Sequence, residues 1–416
     1  MCGIAGIISM NPNNVSTERL KQMTDAIAHR GPDGEGFWLN ENKTVGFGHR
    51  RLAIIDLSEA GKQPMHFLNR YTITYNGELY NYIEIREELK QKGYQFNTQT
   101  DTEVILAAYD FWKEECLQQF DGMFAFAIWD KQEQTLFTAR DRFGEKPFYY
   151  FFDGEQFVFA SEMKALWAAG IEKKIKHSML LNYIGLGWVK NPADLSQTFY
   201  ENISSLPQSH YLKLDMRTGR NEIGQYWDLD KESQTMLSEA EAIEQFQQLF
   251  DTSVKRRLRS DVEVGTSLSG GLDSSSIVAT IKSQIPDSKF QVFTASFPGF
   301  EKDETAYAKQ VADQFYLQHH LVTPTSETLL NDIERLMHQQ EEPFQSGSIY
   351  AQYKVYELAK QQGVKVILDG QGADETLAGY HKYIHWFLQE KNRQTSVVSR
   401  ELKAFAQNNI SVDWRY

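Results

Sequence analysis

The residue most clearly suited to catalysis is Cys2, which directly follows the initiator methionine. If Met1 is removed, Cys2 carries both a thiol and a free α-amino group. Such an amino group has a pKa near ~7.7–8.0, so it can act as a base near neutral pH. A thiol beside its own amine combines a nucleophile with a general base, and no histidine is needed. The start of the chain therefore predicts covalent catalysis by Cys2.

A second candidate site is a glycine- and serine-rich loop at residues 269–275, Ser-Gly-Gly-Leu-Asp-Ser-Ser. Glycines let a backbone approach phosphate closely, and N–H groups at a helix N-terminus supply positive potential. Asp273 can hold Mg²⁺, which prefers carboxylate and phosphate oxygens. The loop is not a Walker A sequence, because Gly-Lys followed by Ser or Thr is absent. The residues expected to bind nucleotide phosphate are Ser269, Gly270, Gly271, Asp273, Ser274 and Ser275.

The first half of the chain has the pattern of a sheet-rich domain, which would supply a rigid frame for Cys2. Short apolar and β-branched stretches alternate there with turn residues, as is typical of strands. The expected strands are 72–75, 122–129, 135–139, 147–152 and 156–160. Asp153 and Gly154 predict a hairpin turn between the last two strands. Helices are expected at 82–91 and 102–111, so this half predicts sheets covered by helices.

The second half alternates between helix and strand patterns, which is typical of a doubly wound parallel sheet. Ser238 and Glu241 form a capping-box pattern at the start of a helix. The apolar residues that share one face of this helix are Ile243, Phe246, Phe250, Val254 and Leu258. The strands expected after it are 262–268, 291–297 and 364–368, and a helix is expected at 274–282. Ligands of such sheets bind at the carboxyl ends of strands, where the loop at 269–275 begins.

Composition places the chain among ordinary globular proteins with an acidic surface. Of its 416 residues, 41% are hydrophobic and 24% are charged, and the length predicts two or three domains. The net charge of −13 disfavours nucleic acid and anionic membranes as partners. No apolar run approaches the ~18 residues that span a bilayer, and the N-terminus lacks a signal-peptide pattern. We therefore expect a cytoplasmic protein with small-molecule substrates.

Several motifs in the first 210 residues, taken in order, resemble those of the class II glutamine amidotransferases. The matching segments are 1–7, 29–33, 50–54, 75–81, 100–103, 121–125 and 140–144. The resemblance implies that Cys2 attacks the amide of glutamine. It also implies that Asn76 and Gly77 donate hydrogen bonds to the resulting oxyanion, which needs preorganised donors. Without the resemblance, Asn-Gly would predict a hairpin turn.

The same resemblance implies how glutamine itself is recognised. Arg51 matches the residue that binds the α-carboxylate, where a bidentate fork favours Arg over Lys. Asp101 matches the partner of the α-ammonium group, and Glu78 assists in binding glutamine. Taken alone, each of these would be a surface charge or a helix cap.

Residues 369–375, Asp-Gly-Gln-Gly-Ala-Asp-Glu, follow an expected strand and resemble the second nucleotide loop of asparagine synthetases. The loop at 269–275 resembles the pyrophosphate loop of enzymes that split ATP into AMP and pyrophosphate. The resemblance to glutamine-hydrolysing asparagine synthetases runs from residue 2 to about residue 385. It implies two Mg²⁺ ligands, Asp273 and Asp374. It implies further ATP or adenylate contacts from Leu268, Ala295, Asp369 and Gly370.

This family resemblance implies a fold and a reaction. The fold is an α+β N-terminal nucleophile hydrolase sandwich of four αββα layers at residues 2–215. An α/β parallel-sheet ATP pyrophosphatase-type domain follows at 236–416. The reaction releases ammonia from glutamine, adenylates the side-chain carboxylate of aspartate with ATP, and passes ammonia internally to form asparagine. Adenylation is needed because a carboxylate is a poor electrophile.

Two departures from the family pattern leave alternatives open. Gln371 stands where the family has Glu, a position linked to formation of the adenylate. The chain ends at Tyr416, whereas family members carry further helices, so we expect the second domain to be C-terminally short. The alternatives are amidation of another carboxylate, in secondary-metabolite or surface-polysaccharide synthesis, and a truncated relative with glutaminase activity only. Whether the chain forms a homodimer also stays open.

Three other features have simpler interpretations. Glu341-Glu342-Pro343 fits the family pattern before an amphipathic helix. His319 and His320 lack a third ligand at metal-site spacing, so we expect histidines at a strand edge. Cys116 has no motif around it and is expected in a hydrophobic core.

Overall fold

The structure is a computed structural model that describes residues 1–391, 395–407 and 412. It divides into two compact units. The first contains residues 1–264 and 324–366, and the second contains residues 265–323 and the described residues from 367 onward. Residues 413–416, the last of the second domain expected from the sequence, lie outside the described residues.

The strands, in chain order, are β1 Gly3–Ser9, β2 Gly34–Leu39, β3 Val45–Arg51, β4 Met65–Phe67, β5 Tyr71–Leu79, β6 Gly122–Asp130, β7 Thr135–Arg140, β8 Tyr149–Phe152, β9 Gln156–Ala160, β10 Ser204–Ser205, β11 His210–Asp215, β12 Asn221–Gln225, β13 Val264–Ser267, β14 Gln291–Ala295, β15 Gln318–Val322 and β16 Val366–Leu368. The α-helices are α1 Thr17–Ala26, α2 Tyr82–Gln91, α3 Asp101–Trp112, α4 Cys116–Gln119, α5 Met163–Ala168, α6 His177–Leu186, α7 Glu239–Arg257, α8 Leu272–Gln284, α9 Thr305–Gln314, α10 Ser326–Gln340, α11 Ser348–Gln361, α12 Ala373–Leu377, α13 His381–Glu390 and α14 Thr395–Gln407.

Residues 1–227, all of them described, form two six-stranded antiparallel sheets. The strand orders are β10-β8-β9-β1-β3-β2 and β12-β11-β7-β6-β5-β4. Side chains alternate across each strand: Ile4 and Ile8 of β1 face the second sheet, whereas Ala5 and Ile7 pack toward α1 and α5. Helices α2 and α3 cover the outer face of the second sheet. This arrangement confirms the four-layer αββα sandwich of an N-terminal nucleophile hydrolase.

The structure confirms most of the predicted elements in this half. The strands at 72–75, 122–129, 135–139 and 156–160 all form, and β8 and β9 pair across the turn that contains Gly154, whose φ is +93°. Strands β1, β2 and β3 were not predicted. Each contains two glycines, which weaken the strand pattern because glycine has low β propensity.

Asn76 and Gly77 do not form a hairpin turn. They lie inside β5, paired with Ala125 and Phe124 of β6. A Cβ at Gly77 would lie 2.2 Å from the carbonyl oxygen of Met123, so no larger residue fits the strand there. Pairing with a long neighbouring strand thus overrides the local turn preference of Asn-Gly.

Helix α7 begins with the predicted capping box. Ser238 accepts a hydrogen bond from the N–H of Glu241, whose side chain accepts one from the Ser238 N–H. The predicted apolar face is only partly covered: Val254 is buried, but Ile243 and Phe246 are 60% and 50% exposed. Among the described residues, no helix combines the length and apolar character needed to cross a membrane.

The second unit contains a four-stranded sheet in the order β15-β14-β13-β16 among its described residues. The pairs β13–β14 and β14–β15 are parallel, which confirms the predicted parallel sheet. His319 and His320 lie on β15 at the sheet edge, as predicted, and His319 Nε2 is 2.8 Å from Thr294 Oγ1. In the first unit, Cys116 begins α4 and is fully buried in the hydrophobic core, as predicted.

Candidate active site

Cys2 lies immediately before β1 and is held by its neighbours in space. The backbone N–H of Leu52 donates to Cys2 Sγ at 3.4 Å, and Sγ donates to the carbonyl oxygen of Leu52 at 3.6 Å. Arg30 Nε donates to the carbonyl oxygen of Cys2 at 2.8 Å. Burial raises the pKa of the thiol, against the opposing effect of the adjacent α-amino group. The thiol therefore needs a nearby base to become a nucleophile.

The α-amino group can serve as that base. In the structure Met1 carries this group, and burial lowers its pKa to about 5. The positive charges of Arg30 and Lys146 contribute to this lowered pKa, while Cys2 and Glu78 act against it. An amine in these surroundings is unprotonated at neutral pH and can accept a proton from a thiol. Removal of Met1 would give Cys2 such an amine.

Asn76 presents the clearest unsatisfied group of this site. It is 1% exposed, and neither Nδ2 nor Oδ1 has a hydrogen-bond partner within the described residues. A buried amide left without partners costs about 1–3 kcal/mol. The pairing of β5 holds Asn76 in this position despite that cost. Its free Nδ2 is suited to donate a hydrogen bond to a substrate oxygen.

Two acidic side chains are buried near the end of β5, one from the strand itself and one from α3. Asp101, at the start of α3, accepts hydrogen bonds of 2.9 Å from the N–H of Leu79 and from the hydroxyl of Tyr75. Burial raises the pKa of Asp101 despite these hydrogen bonds. Glu78 is 5% exposed, and burial raises its pKa to about 7. Both carboxylates thus lie where a cation would be favoured.

Arg51 ends β3 and its guanidinium is held by the loop that follows. Nη1 donates to the carbonyl oxygen of Ser58 at 2.7 Å, and Nη2 donates to that of Asp56. A Cβ at Gly61 would lie 2.0 Å from Nη2, so the absence of a side chain there leaves room for the guanidinium. Asp101 lies close enough to the Cys2 thiol, and Glu78 close enough to the α-amino group, to shift their pKa values. Asn76 and Gly77 lie on the same strand as Glu78, and Arg51 is bonded directly to Leu52.

Sequence reasoning assigned no role to three buried basic residues near Cys2. Arg30 contacts its carbonyl oxygen, and Lys146, 5% exposed, donates to Met1 Sδ at 3.1 Å. His49 lies 3.1 Å from the carbonyl oxygen of Tyr75, and burial lowers its pKa to about 4. Arg30 lies inside the motif at 29–33, and Lys146 follows the motif at 140–144 by two residues. Their charge and their position in or beside a motif could have identified them from the sequence.

In the phosphate-loop candidate of the second unit, serine hydroxyl groups form hydrogen bonds within the loop. Ser269 Oγ accepts from the N–H of Gly271 at 3.1 Å and lies 3.1 Å from Ser274 Oγ. Gly270 has φ +84°, and a Cβ there would lie 2.4 Å from the N of Ala308. The hydroxyl of Ser275 is buried without a partner in the described part of the chain. Gly270 therefore lets the loop pack against the backbone of α9, and the Ser275 hydroxyl is an unused donor that a phosphate could accept from.

The second nucleotide-loop candidate lies against the first. A Cβ at Gly370 would lie 3.2 Å from the Cβ of Asp273, so the two loops touch. Gly372 has φ +92° before α12, and Asp374 is half-buried in the first turn of that helix. Gln371 is exposed. Leu268 is buried at the end of β13 and Ala295 ends β14, so both lie at the carboxyl edge of the sheet.

A metal ion would find few protein ligands here. The described residues contain no group of three or more His, Cys, Asp or Glu side chains that could hold one. Mg²⁺ commonly binds through one or two carboxylates with substrate phosphate oxygens and water completing its shell. Asp273 and Asp374, near the two touching loops, fit that mode.

Comparison with known families agrees with this architecture. The model of the glutamine amidotransferase domain matches residues 1–227, and that of asparagine synthase matches residues 245–413. The fold and these matches define a glutamine amidotransferase of the N-terminal nucleophile class that also carries an asparagine synthase domain.

Curated relatives place the chain more closely. A putative glutamine-hydrolyzing asparagine synthetase 2 of Methanocaldococcus jannaschii is 38% identical over 93% of this chain and 77% of the relative. Asparagine synthetase 1 of Bacillus subtilis is 36% identical over 92% of this chain and 59% of its own length. An amidase of Gibberella zeae is 32% identical over 92% of this chain and 60% of its own length. The chain belongs to the family of glutamine-hydrolysing asparagine synthetases, which are ATP-dependent ligases.

Proposed function

We propose that the protein releases ammonia from glutamine at Cys2 and uses ATP to convert the side chain of aspartate to that of asparagine. The observation that carries the proposal is the buried carboxamide of Asn76 on β5, which has no hydrogen-bond partner among the residues that the structure describes. A fold gains nothing from such a group, whereas an oxyanion would satisfy it.

The glutaminase step follows from the side chains of the first unit. The Cys2 amine takes the thiol proton, and Sγ attacks the amide carbon of glutamine to form a tetrahedral oxyanion. Asn76 Nδ2 and the N–H of Gly77 stabilise this oxygen. The amine then returns the proton to the leaving nitrogen, ammonia departs, and water hydrolyses the thioester to glutamate. The same amine accepts the thiol proton and later donates it to the leaving nitrogen, so it ends in its original unprotonated state.

Recognition of free glutamine requires groups for both ends of its amino-acid backbone. The guanidinium of Arg51, held by two carbonyl oxygens of its loop, binds the α-carboxylate. Asp101 and Glu78 bind the α-ammonium group. The hydroxyl of Tyr75 and the N–H of Leu79 both donate to Oδ2 of Asp101 and fix the position of its carboxylate.

The second unit binds ATP and forms the adenylate. Ser269, Gly270, Gly271, Ser274 and Ser275 hold the phosphates, and Leu268 and Ala295 line the nucleoside. Asp369 and Gly370 hold the adenylate, with Gln371 beside it. Asp273 and Asp374 would bind Mg²⁺, which offsets phosphate charge when present. Ammonia then displaces AMP from the activated carboxyl group and gives the amide.

The decisive experiment supplies the purified chain with glutamine, ATP, Mg²⁺ and aspartate. Glutamate, pyrophosphate and asparagine are measured together, the last by mass spectrometry. Asparagine and pyrophosphate that appear in step with glutamate support the proposal. Glutamate without pyrophosphate would restrict the activity to glutamine hydrolysis.

A second candidate is amidation of a carboxylate other than that of aspartate. The identity to a relative named as an amidase favours it, as does Gln371 at a position occupied by Glu in the family pattern. A panel of carboxylic acids in the same assay distinguishes the two. Pyrophosphate release with another acid, and none with aspartate, would favour the second candidate.

A further inference from the structure

A chain of buried charges connects the backbone of Cys2 with the segment that follows α10. Arg30 Nε donates to the carbonyl oxygen of Cys2 at 2.8 Å, and Arg30 Nη1 lies 2.7 Å from Glu162 Oε1. Lys164 Nζ lies 2.6 Å from Glu162 Oε2 and 3.3 Å from Glu341 Oε1. All five residues belong to the first compact unit. Charges of opposite sign therefore alternate without a break from Glu341 to the nucleophile.

Burial makes each member depend on its neighbours. The side chains of Arg30, Lys164 and Glu341 are 7%, 6% and 4% exposed, and that of Glu162 is 10% exposed. Burial alone would raise the pKa of Glu162, but His29, Arg30 and Lys164 hold it well below its ordinary value. An ion left alone in such a place is strongly disfavoured, so removal of one member forces the others to move.

The far end of this charge chain is clamped by backbone groups. The N–H groups of Met163 and Lys164, at the start of α5, donate to the two oxygens of Glu341 at 2.7 Å each. The hydroxyl of Tyr200 donates to the carbonyl oxygen of Glu341 at 2.9 Å. The next residue, Glu342, accepts from the N–H of Phe199 at 2.8 Å. Glu341 lies within the asparagine synthase match, whereas its partners lie within the glutamine amidotransferase match.

We propose that Arg30, Glu162, Lys164 and Glu341 are positioning residues through which the segment after α10 controls glutamine hydrolysis. Movement of Glu341 changes the position of Lys164, and Glu162 and Arg30 transmit the change to the carbonyl group of Cys2. The thiol of Cys2 then shifts against its base and the oxyanion donors. This inference rests on the proposed glutaminase function and deepens it, because it links segments that fall in different family matches.

The test compares Glu341→Gln and Lys164→Met with the matched control Glu342→Gln. The first two break the charge chain, and the control makes the same chemical change one residue later, outside it. We expect kcat for glutamine hydrolysis to fall about ten- to a hundred-fold in the first two, because small misplacements of a nucleophile are costly. KM stays within about two-fold, since the glutamine-binding groups are untouched. Lys164→Arg keeps the charge and restores most of kcat.

A second measurement does not need turnover. Alkylation of Cys2 by iodoacetamide, followed by mass spectrometry, reports the setting of its thiol, and we expect about three-fold faster labelling in Glu341→Gln because the thiol becomes more accessible. Thermal unfolding shows whether Lys164→Met folds. If it does not, Glu341→Gln tests the proposal by itself, because this change keeps the side-chain volume. The proposal is overturned if Glu341→Gln has the kcat and the labelling rate of the wild type. It is also overturned if Glu342→Gln changes both quantities as much as Glu341→Gln does. Absence of glutaminase activity in the wild type refutes the proposed function and, with it, control of hydrolysis. Unchanged labelling of Cys2 in Glu341→Gln, beside an active wild type, refutes this inference alone.

Discussion

Leu52 holds the nucleophile from both sides: its N–H donates to Sγ of Cys2 at 3.4 Å, and its carbonyl oxygen lies 3.6 Å from the same sulfur. Strand β3 ends one residue earlier, at Arg51. The residue proposed to bind the α-carboxylate of glutamine is thus directly bonded to the residue that seats the thiol. One strand end therefore sets both the nucleophile and the guanidinium.

Replacement of the nucleophile should separate the two activities. We expect Cys2→Ala to lower glutamine hydrolysis at least about 10³-fold, because no other group can form the thioester. Ammonia-dependent amide formation should remain. Cys116→Ala, which removes the other cysteine, is the matched control and should retain glutaminase activity. Glutamate release by Cys2→Ala, or an intact Met1 in active protein, would contradict the assignment.

Removal of the proposed oxyanion donor should cost activity without a matching loss of stability. Asn76→Ala should lower kcat for glutamine about 10²–10³-fold. Because the wild-type carboxamide is buried and has no partner within the described part of the chain, its removal also relieves a cost of about 1–3 kcal/mol, which offsets the cavity left behind. We expect a Tm at or above that of the wild type. An active variant, or one with a strongly lowered Tm, argues against this role.

The buried carboxyl group of Glu78 should make stability depend on pH. Burial raises its pKa from 4.5 to about 7, so the folded state binds the proton more tightly and stability falls as pH rises across that interval. Glu78→Gln removes this loss and should gain up to about 3 kcal/mol relative to wild type between pH 5 and pH 8. Chemical denaturation at the two pH values measures the gain.

Glu84→Gln is the control for that prediction because its expected sign is opposite. A hydrogen bond from Arg259 lowers the pKa of Glu84 to about 2. Its contribution to stability is present above pH 4.5 and is lost as pH falls toward 2. The control should therefore be less stable than wild type at pH 8. Parallel pH profiles for the Glu78 variant and the wild type would refute the role of Glu78.

The proposed Mg²⁺ ligands can be tested against a neighbouring acid in the same unit. Asp273→Asn and Asp374→Asn should each lower pyrophosphate release about 10²-fold, because phosphate charge is then poorly neutralised. Glutamine hydrolysis should be spared. Asp313→Asn, which breaks an exposed ion pair with Lys309 on α9, should keep both activities. Normal Mg²⁺-dependent adenylation in either loop variant would make the assignment wrong.

Gln371 offers a gain-of-function test. A glutamine can donate and accept hydrogen bonds but cannot act as a carboxylate base. We expect Gln371→Glu to increase pyrophosphate release with aspartate, with unchanged glutamine hydrolysis as the internal control. If pyrophosphate release does not increase, the side chain at 371 does not limit adenylation.

Much of this protein could be predicted from short stretches of sequence. The capping box of Ser238 and Glu241, the turn at Gly154 and the strands β6 and β7 depend on residues a few positions apart, so local preference and periodicity suffice. The candidate loops could also be recognised locally, because close approach to phosphate needs glycine and hydroxyl groups in a fixed order. The roles of the individual site residues stay predictions until the variants are measured.

Tertiary structure alone decided where the polar groups of the first unit find their partners. Asn76 prefers a turn with Gly77, yet β6 pairs with both, and the buried carboxamide has no hydrogen-bond partner among the described residues. Arg30 meets Glu162 across 132 residues, and Lys164 N meets Glu341 across 177. Such contacts form only when packing of the apolar core closes long loops. Their free energy depends on burial and geometry, which no local pattern of residue types contains.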